Sequence, residues 1–249
     1  MNFRVLIPAR FGASRLPGKP LVNIAGKPLI RHVCERALES AADAVWVATD
    51  DERIAEACAA IEVQVAMTSP AHASGTDRIA EVVAREGWDD ETIVVNLQGD
   101  EPLMPATAIN TVAETLAADP EAGLSTLAVR LFETERFRDP NVVKVVVNAA
   151  GRALYFSRAP IPWPRHAESE IPHEVLRHIG IYGFRVGALR RVASEAPCAL
   201  EQAESLEQLR ALWLGLPIRV EVVDDIPSAS VDTPEDVERI AALLAQGNI

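Results

Sequence analysis

The sequence lacks the features of three large classes of protein. No apolar run approaches the ~20 residues that span a bilayer, so we expect no membrane partner. The N-terminus enters a strand-like pattern directly, which gives no secretory signal. Lys and Arg number 24 against 36 Asp and Glu, a net charge of −12. This acidic balance argues against nucleic acid as a partner, because general nucleic-acid binding needs a basic face.

Cysteine is scarce, and the three residues present form no motif. Cys34, Cys58 and Cys198 are odd in number and widely spaced, which excludes the common zinc and redox motifs. Unpaired cysteines are usually buried as small apolar side chains, so we predict reduced thiols in the core. Reduced thiols are typical of the cytoplasm, where we expect the protein to lie.

Two common phosphate-binding motifs are also missing. Gly12 and Gly18 have five residues between them rather than four, and Pro20 stands where a Walker A loop has its metal-binding Ser or Thr. The sequence G-x-G-x-x-G does not occur either. These absences exclude a P-loop kinase or ATPase and disfavour a nicotinamide-dependent dehydrogenase.

What is present, over the first hundred residues, is an alternation of short apolar runs with helical patterns. The predicted order is strand 3–9, helix 28–40, strand 44–49, helix 51–60, strand 62–67, helix 77–86 and strand 92–97. Thr49 and Glu52 resemble a capping box for the second of these helices. Alternating units of this length indicate a right-handed, doubly wound parallel sheet.

Ligands of such sheets bind beyond the carboxyl ends of the strands. The loops 8–20, 68–76 and 98–104 should therefore converge on one cleft. Past about residue 120 the pattern loosens into further strands without long helices between them, which predicts an antiparallel extension or lobe. A terminal helix is predicted at 233–246, with Thr233 as its N-cap and Pro234 at its first position.

The first of these loops, RFGASRLPGKPL, is basic and restrained by two prolines. Gly12 allows the backbone to approach a ligand closely. Arg10, Arg15 and Lys19 supply enough positive charge to neutralise a triphosphate, and Arg offers bidentate contacts. The alternative is a solvated surface loop whose charges are unrelated to one another.

Two aspartates lie at predicted strand-to-helix turns. Asp100 follows Gly99 after the fourth strand, and Asp232 precedes the N-cap Thr233. Magnesium typically takes one or two carboxylates and completes its shell with phosphate oxygens and water. The pair could form such a site, although helix capping near Pro105 is an alternative role for Asp100.

Seven stretches, in this order, resemble one family over essentially the whole chain: IPARFGASRLPGKPL, MTSPAHASGTDR, VNLQGDEPL, YFSRAPIPW, HIGIYGF, LEQLRALW and VDTPEDVERI. The sequence is similar to the 3-deoxy-manno-octulosonate cytidylyltransferases. The resemblance implies transfer of CMP from CTP to 3-deoxy-D-manno-octulosonate (Kdo), giving CMP-Kdo and pyrophosphate for lipopolysaccharide synthesis. It also implies Mg²⁺ as cofactor and a homodimer.

The implied fold is α/β and Rossmann-like, with a mainly parallel doubly wound sheet and a smaller antiparallel lobe. One nucleotidyltransferase domain would span 1–249, with a lobe at about 130–225 for sugar binding and dimerisation.

The resemblance also implies roles for individual residues. Catalysis is implied for Arg15, Lys19, Asp100 and Asp232. Contacts with the CTP phosphates are implied for Arg10, Ser14, Arg15 and Lys19, and contacts around the cytidine for Ser74, Gly75 and Arg78. Mg²⁺ would be held by Asp100 and Asp232. Kdo would be held by Gln98, Arg158, His178, Tyr182, Glu207 and Gln208, with Arg158 on its carboxylate. Asp77, in the same stretch as Ser74 and Arg78, is also explained as an acid in the first turn of a helix, without a role in binding. His178 is also explained as a structural histidine.

One departure from the family pattern lies before Asp232, where PSASVDT replaces a glycine-containing turn and leaves the presentation of this aspartate open. Two rival functions also stay open. A cytidylyltransferase for a related ulosonic acid, such as 8-amino-Kdo or a sialic acid, would differ in the pocket between Arg158 and Gln208. A non-catalytic nucleotide sensor is a third possibility, although a pure binder needs no paired metal carboxylates.

Overall fold

The computed structural model describes residues 1–12, 16–165, 174–224, 226 and 230–245. Its strands are β1 (Phe3–Ala9), β2 (Asn23–Ile24), β3 (Lys27–Pro28), β4 (Ala44–Thr49), β5 (Gln64–Met67), β6 (Ile93–Asn96), β7 (Leu124–Arg130), β8 (Lys144–Val147), β9 (Ala153–Ser157), β10 (Leu176–Arg185) and β11 (Ile218–Val223). Its α-helices are α1 (Leu29–Leu38), α2 (Glu52–Cys58), α3 (Gly75–Glu86), α4 (Ala106–Ala118), α5 (Thr134–Arg138), α6 (Val186–Ser194), α7 (Ala199–Glu204), α8 (Gln208–Trp213) and α9 (Pro234–Ala245). A 3₁₀ helix covers Lys19–Leu21.

The central sheet has the strand order β11-β7-β10-β6-β1-β4-β5. Strands β6, β1, β4 and β5 run parallel, as do β11 and β7, whereas β10 is antiparallel to both of its neighbours. The predicted α/β fold with a mainly parallel sheet is confirmed. Strand β10 was not predicted, and it joins the two parallel groups into one sheet.

Helices cover both faces of the sheet, and β1 is therefore buried on both faces. Val5 and Ile7 lie in one core cluster with residues of α1 and α4, whereas Leu6 lies in another with residues of α3 and α6. Successive side chains of a strand point to opposite faces, so this division follows directly from the sequence. The predicted doubly wound arrangement is therefore confirmed. Because helices cover both faces, a ligand site is expected at the ends of the strands and in the loops that follow them.

The predicted lobe at 130–225 contains β8 to β11 and α5 to α8. Strand β8 pairs antiparallel with both β10 and β9, so this region extends the central sheet rather than standing apart from it. Its roles in sugar binding and dimerisation stay predictions.

Of the two helix caps predicted from the sequence, the one at α9 is confirmed and the one at α2 is not. Thr233 and Asp236 cap α9 reciprocally through their backbone N–H groups, as expected. The predicted capping box of Thr49 and Glu52 is wrong. Thr49 still belongs to β4, and the cap of α2 is Asp51, whose carboxylate accepts a hydrogen bond from the backbone N–H of Arg53 at 2.9 Å.

The three cysteines are buried and carry unpaired thiols, as predicted. None of the helices in the described ranges has the length and apolar character needed to cross a bilayer.

Candidate active site

Loops from the carboxyl ends of the parallel strands converge on one cavity of about 390 Å³, here named the loop cavity. Its wall includes Pro8, Ala9, Arg10, Leu16, Lys19, Pro20, Ala73, Ser74, Gly75, Arg78, Gln98, Gly99, Asp100, Glu207 and Asp232. The predicted convergence of the loops 8–20, 68–76 and 98–104 is confirmed.

The basic loop is folded back on itself at Gly18. This residue has φ +69°, a left-handed conformation that favours glycine, and its N–H donates to the carbonyl of Phe11 at 3.1 Å. The N–H of Phe11 in turn donates to the carboxylate of Asp50 at the end of β4. The special backbone position is thus Gly18, whereas Gly12 has no positive φ, and a Cβ atom on it would meet none of the described residues within 4 Å. Lys19 follows directly and is held at the start of the 3₁₀ helix.

Lys19 lies between the two aspartates that the sequence singled out. Its Nζ is 2.6 Å from Asp100 Oδ2 and 3.0 Å from Asp232 Oδ1. The backbone brings the acids together, because the N–H of Val231 donates to the carbonyl of Asp100 at 2.9 Å. The N–H of Asp232 donates to the carboxylate of Asp236, which fixes Asp232 just outside α9. Two residues far apart in sequence therefore share one cation.

Asp100 is presented by a close approach of two backbones. A Cβ atom on Gly99 would lie 2.6 Å from the carbonyl oxygen of Pro8, a distance that real Cβ atoms do not adopt. Glycine is therefore required for the loop after β6 to cross the end of β1. This crossing places Asp100 beside the basic loop.

The carboxylates of Asp100 and Asp232 shift the pKa values of two neighbouring groups at this end of the loop cavity, Lys19 and Glu101. Burial acts to lower the pKa of Lys19, but the carboxylates of Asp100 and Asp232 outweigh it and raise this pKa, so Lys19 is charged. Burial, together with the neighbouring Asp100 and Asp232, raises the pKa of Glu101 to about 8. The carboxylates of Asp100 and Asp232 thus favour the charged form of Lys19 and the protonated, neutral form of Glu101.

The donor set fits Mg²⁺. Both aspartates already converge on a single positive group, and carboxylate oxygens are the ligands this ion prefers. No group of three or more His, Cys, Asp or Glu within the described ranges could hold a metal. Two carboxylates are nevertheless enough for Mg²⁺ when substrate oxygens complete the shell.

The residues predicted to surround the cytidine line the loop cavity. Ser74 caps α3 by accepting a hydrogen bond from the N–H of Asp77, which confirms Asp77 as a first-turn acid. Arg78 is buried, and its guanidinium donates to Thr68 Oγ1 at 2.5 Å and to Asp50 Oδ2 at 2.9 Å. Arg78 is therefore rigidly placed.

Of the other three residues predicted at the phosphates, one lies among the described residues and two do not. The exposed Arg10 lies on the wall of the loop cavity. Ser14 and Arg15 lie outside the described residues, as does Ser228.

A second cavity, of about 430 Å³ and here named the β10 cavity, adjoins the first. Gly75, Gln98 and Glu207 line both cavities. Five of the six residues predicted to hold the sugar line the β10 cavity, namely Gln98, His178, Tyr182, Glu207 and Gln208. The structure therefore brings these five together beside the loop cavity.

Several polar groups face the β10 cavity in fixed positions. Tyr182 and Asn96 are cross-strand partners on β10 and β6, and within the described residues neither Tyr182 OH nor Asn96 Oδ1 has a hydrogen-bond partner. Buried polar atoms are rarely left unpaired, so these two atoms, which are shielded from solvent, are an unused hydrogen-bonding capacity in the wall of the cavity. Glu207 is oriented by Thr76, whose hydroxyl donates to its Oε2 at 2.6 Å. Burial raises the pKa of Glu207.

Arg158 does not line either cavity. Its Nε donates to the carbonyl of Glu204 at 2.7 Å, and its Nη1 donates to the carbonyl of Pro140 at 3.0 Å. The expectation that Arg158 grips a carboxylate therefore has no support from its position. Two other cations, Arg136 and Arg177, do line the β10 cavity.

His178 combines the functional and the structural roles considered for it. It lines the β10 cavity, and its Nε2 lies 2.9 Å from Thr126 Oγ1. Its ring meets the ring of Phe156 edge-on with centroids 5.0 Å apart. Burial, with a smaller effect of Arg177, lowers the pKa of His178 to about 3, so the imidazole is neutral at physiological pH.

The free energy of unfolding should therefore depend on pH through His178. Between its ordinary pKa of 6.5 and about 3, the unfolded chain binds a proton at this residue that the folded chain does not. Stability falls as pH falls through this window, by up to roughly 1.4 kcal/mol per pH unit. Urea unfolding of wild type and His178→Gln at pH 4 to 7 measures the effect. The wild type should lose more stability than the variant on acidification, and parallel curves would contradict the neutral assignment.

Comparison with known proteins agrees with this geometry. The profile of the cytidylyltransferase family matches residues 4–221. Over 252 aligned residues, covering 99% of both chains, the sequence is 53% identical to a protein of Hahella chejuensis named 3-deoxy-manno-octulosonate cytidylyltransferase. The chain belongs to the 3-deoxy-manno-octulosonate cytidylyltransferase family.

Two further proteins are similar to this chain over nearly their full length. A Stenotrophomonas maltophilia protein of the same name is 54% identical over 250 residues, which cover 98% of this chain and 97% of the relative. A solved structure of CMP:2-keto-3-deoxy-manno-octonic acid synthetase complexed with CTP superposes with a TM-score of 0.90, at 44% identity and with 99% of both chains covered. The fold expected for the 3-deoxy-manno-octulosonate cytidylyltransferase family is thus confirmed.

Sequence reasoning missed several groups of the candidate site. Asn96 lies inside the quoted stretch VNLQGDEPL, two residues before Gln98, and strand alternation alone puts both on one face. Arg177 directly precedes the quoted HIGIYGF, but an arginine in a strand carries no functional signal of its own. Arg136 and Thr76 become visible only when distant segments are brought together.

Proposed function

We propose that the protein transfers CMP from CTP to Kdo, releasing CMP-Kdo and pyrophosphate. One observation carries the proposal: Lys19, Asp100 and Asp232 meet at the wall of a cavity that shares Gln98 and Glu207 with a second, polar cavity. Two adjoining cavities suit two substrates, and the shared residues mark where their reacting atoms meet. The named relatives and the CTP complex of the related synthetase support the same assignment.

The nucleotide belongs in the loop cavity. Arg10 and Lys19, with Ser14 and Arg15 of the same loop, would neutralise the triphosphate, and Arg15 and Lys19 would stabilise charge on the leaving pyrophosphate. Ser74, Gly75 and Arg78 would surround the cytidine. Arg78 is suited to a fixed contact, because Asp50 and Thr68 already hold its guanidinium.

Asp100 and Asp232 would hold Mg²⁺. The ion would neutralise charge on the α-phosphate and favour ionisation of the attacking hydroxyl. Lys19 must exchange partners when this happens, since its ammonium contacts both carboxylates in the structure described here. Triphosphate oxygens are the natural new partners, which would couple nucleotide binding to the completion of the acidic site.

Kdo belongs in the β10 cavity. Its hydroxyls would be contacted by Gln98, His178, Tyr182, Glu207 and Gln208. Asn96 Oδ1 and Tyr182 OH have no hydrogen-bond partner among the described residues and would add capacity for hydrogen bonds. The sugar carboxylate needs a cation. Arg136 and Arg177 offer one on the cavity wall, whereas Arg158 reaches the sugar only if it leaves its backbone partners.

The assembly and pathway belong to the same proposal. A homodimer would bury apolar side chains that are exposed in the region 130–225, including Phe132, Leu154, Trp163 and Trp213. The product would serve lipopolysaccharide synthesis in the cytoplasm.

A pyrophosphate-release assay with purified protein, CTP and Mg²⁺ tests the function. We expect turnover with Kdo to exceed turnover with 8-amino-Kdo or a sialic acid, and turnover with CTP to exceed that with the other nucleoside triphosphates. Preference for another ulosonic acid would support the close rival. Tight CTP binding without pyrophosphate release from any of the acids would support a non-catalytic sensor.

A further inference from the structure

Lys144 on β8 is a buried cation that the proposed mechanism does not use. Its side chain has no solvent exposure. Its Nζ donates to the carbonyls of Val142 and Arg158, each at 2.6 Å, and of Asp139 at 3.0 Å. An ammonium has three hydrogens, so these carbonyls satisfy it completely without a carboxylate partner. Substrate cannot reach this group, so any effect on the reaction must act through its neighbours.

Arg158 continues the same network. Besides its side-chain bonds to the carbonyls of Glu204 and Pro140, its backbone N–H donates to the Glu204 carboxylate at 2.9 Å. The other oxygen of this carboxylate accepts from the hydroxyl of Ser157 at 2.6 Å. Lys144 and Arg158 thus connect the loop 139–142, the end of β9 and the turn at 204–205.

The connected segments lead directly into facing parts of the β10 cavity. One part consists of Asn141, Val142 and Val143, and the other of Ser205, Leu206, Glu207 and Gln208. Ser205 has φ +51°, a conformation unfavourable for a residue with a side chain, which persists only where its surroundings fix it. The network around Lys144 supplies such fixation on the side of Glu204.

We propose that Lys144 is a positioning residue for the sugar substrate: its ammonium sets the spacing between the loop 139–142 and the turn that carries Glu207 and Gln208. The inference rests on the proposed function of the β10 cavity. Without the ammonium, three carbonyl oxygens would face one another with no donor between them, and the loop would move away. Residues of the loop 139–142 line the β10 cavity and not the loop cavity, so a displacement of this loop should misplace Kdo with little effect on CTP.

The test is the kinetics of Lys144→Met, which keeps most of the stem and removes only the charged group. We expect the KM for Kdo to rise roughly 10- to 100-fold, while the KM for CTP changes less than about twofold. Ammonium chloride should restore part of the lost Kdo affinity by supplying a cation to the three carbonyls, and tetramethylammonium chloride should not.

Arg185→Met is the matched control. The guanidinium of Arg185 also donates to backbone carbonyls, those of Leu116 and Ala122, and to the carboxylate of Glu91, and Arg185 lines neither the β10 cavity nor the loop cavity. This variant should lose stability without a selective change in the KM for Kdo. If Lys144→Met leaves both KM values unchanged, or raises both to a similar extent, the inference is wrong.

A second variant keeps the inference testable if Lys144→Met does not fold. Arg158→Gln removes the link between Pro140 and Glu204, and it should also raise the KM for Kdo selectively. An unchanged KM for Kdo in this folded variant would overturn the inference. Turnover by the wild type separates the two proposals. If the wild type does not turn over CTP and Kdo, the proposed function is wrong. If the wild type turns over and the variants keep its KM for Kdo, only the positioning role is wrong.

Discussion

Asp100→Asn is expected to reduce kcat by at least about 10²- to 10³-fold while the protein stays folded. The amide has the shape of the carboxylate but not its charge, so under the proposed mechanism the divalent ion and the charge developing on the transferred phosphate would lose their stabilisation. Groups aimed at developing charge are typically worth effects of this size. Steady-state pyrophosphate release at saturating CTP and Kdo measures kcat, and thermal unfolding verifies the fold.

Asp119→Asn is the matched control for the loss of one carboxylate. Asp119 pairs with Arg152 on the wall of a separate cavity, where it contacts none of the residues of the candidate active site. Its replacement should leave kcat within about twofold. If Asp100→Asn behaved like this control, Asp100 would have no part in holding a metal ion, and the acidic site would need another explanation.

Lys19→Met is expected to change two measurements in opposite directions. Loss of the ammonium would remove the proposed charged contact to the triphosphate, and such contacts are worth about 1.5–3 kcal/mol, so kcat/KM for CTP should fall roughly 10- to 100-fold. The same change leaves Asp100 and Asp232 without their shared cation. Binding of Mn²⁺ in the absence of nucleotide should therefore become tighter than in wild type. Titration followed by the electron paramagnetic resonance signal of Mn²⁺ measures this affinity.

Lys27→Met controls for the removal of a positive charge near the N-terminus. Lys27 pairs with Glu35 on the surface and lines neither the loop cavity nor the β10 cavity. This variant should match the wild type in both measurements. A Lys19→Met protein that used CTP normally would remove the proposed phosphate role, and weaker Mn²⁺ binding in it would contradict competition between lysine and metal.

The parts of the fold that were predictable are those buried on both faces. Strands β1 and β4 begin and end as the apolar runs 3–9 and 44–49 indicate, because their side chains are mostly apolar and Arg4 is their one charged residue. Helix α9 was also anticipated, since Thr233 and Pro234 mark its start. Local chemistry decides such elements, so the sequence suffices for them.

The missed parts depend on distant pairing. Strand β10 contains Gly180 and Gly183 and an irregular register between Ile179 and Tyr182, which obscures its alternation. Gly183 is explained only by the packed structure, where a Cβ atom would lie 2.5 Å from Ser125 Oγ. Because β10 provides His178 and Tyr182, the β10 cavity could not be predicted without this strand.

The candidate site shows the same division. Asp100 and Asp232 were identified singly from their turns, but their meeting depends on the bond between Val231 and Asp100, which joins segments far apart in sequence. Arg158 was placed by resemblance, and the structure turns its guanidinium toward backbone carbonyls instead. A motif identifies a residue without specifying the orientation of its side chain.

The most direct test of the account is a crystal structure of the protein with CTP and Mn²⁺, read from the anomalous signal of the metal. The account predicts one anomalous peak bonded to carboxylate oxygens of both Asp100 and Asp232 and to a phosphate oxygen, with Lys19 moved onto the triphosphate. A peak bonded to neither aspartate, or CTP bound outside the loop cavity, would contradict it.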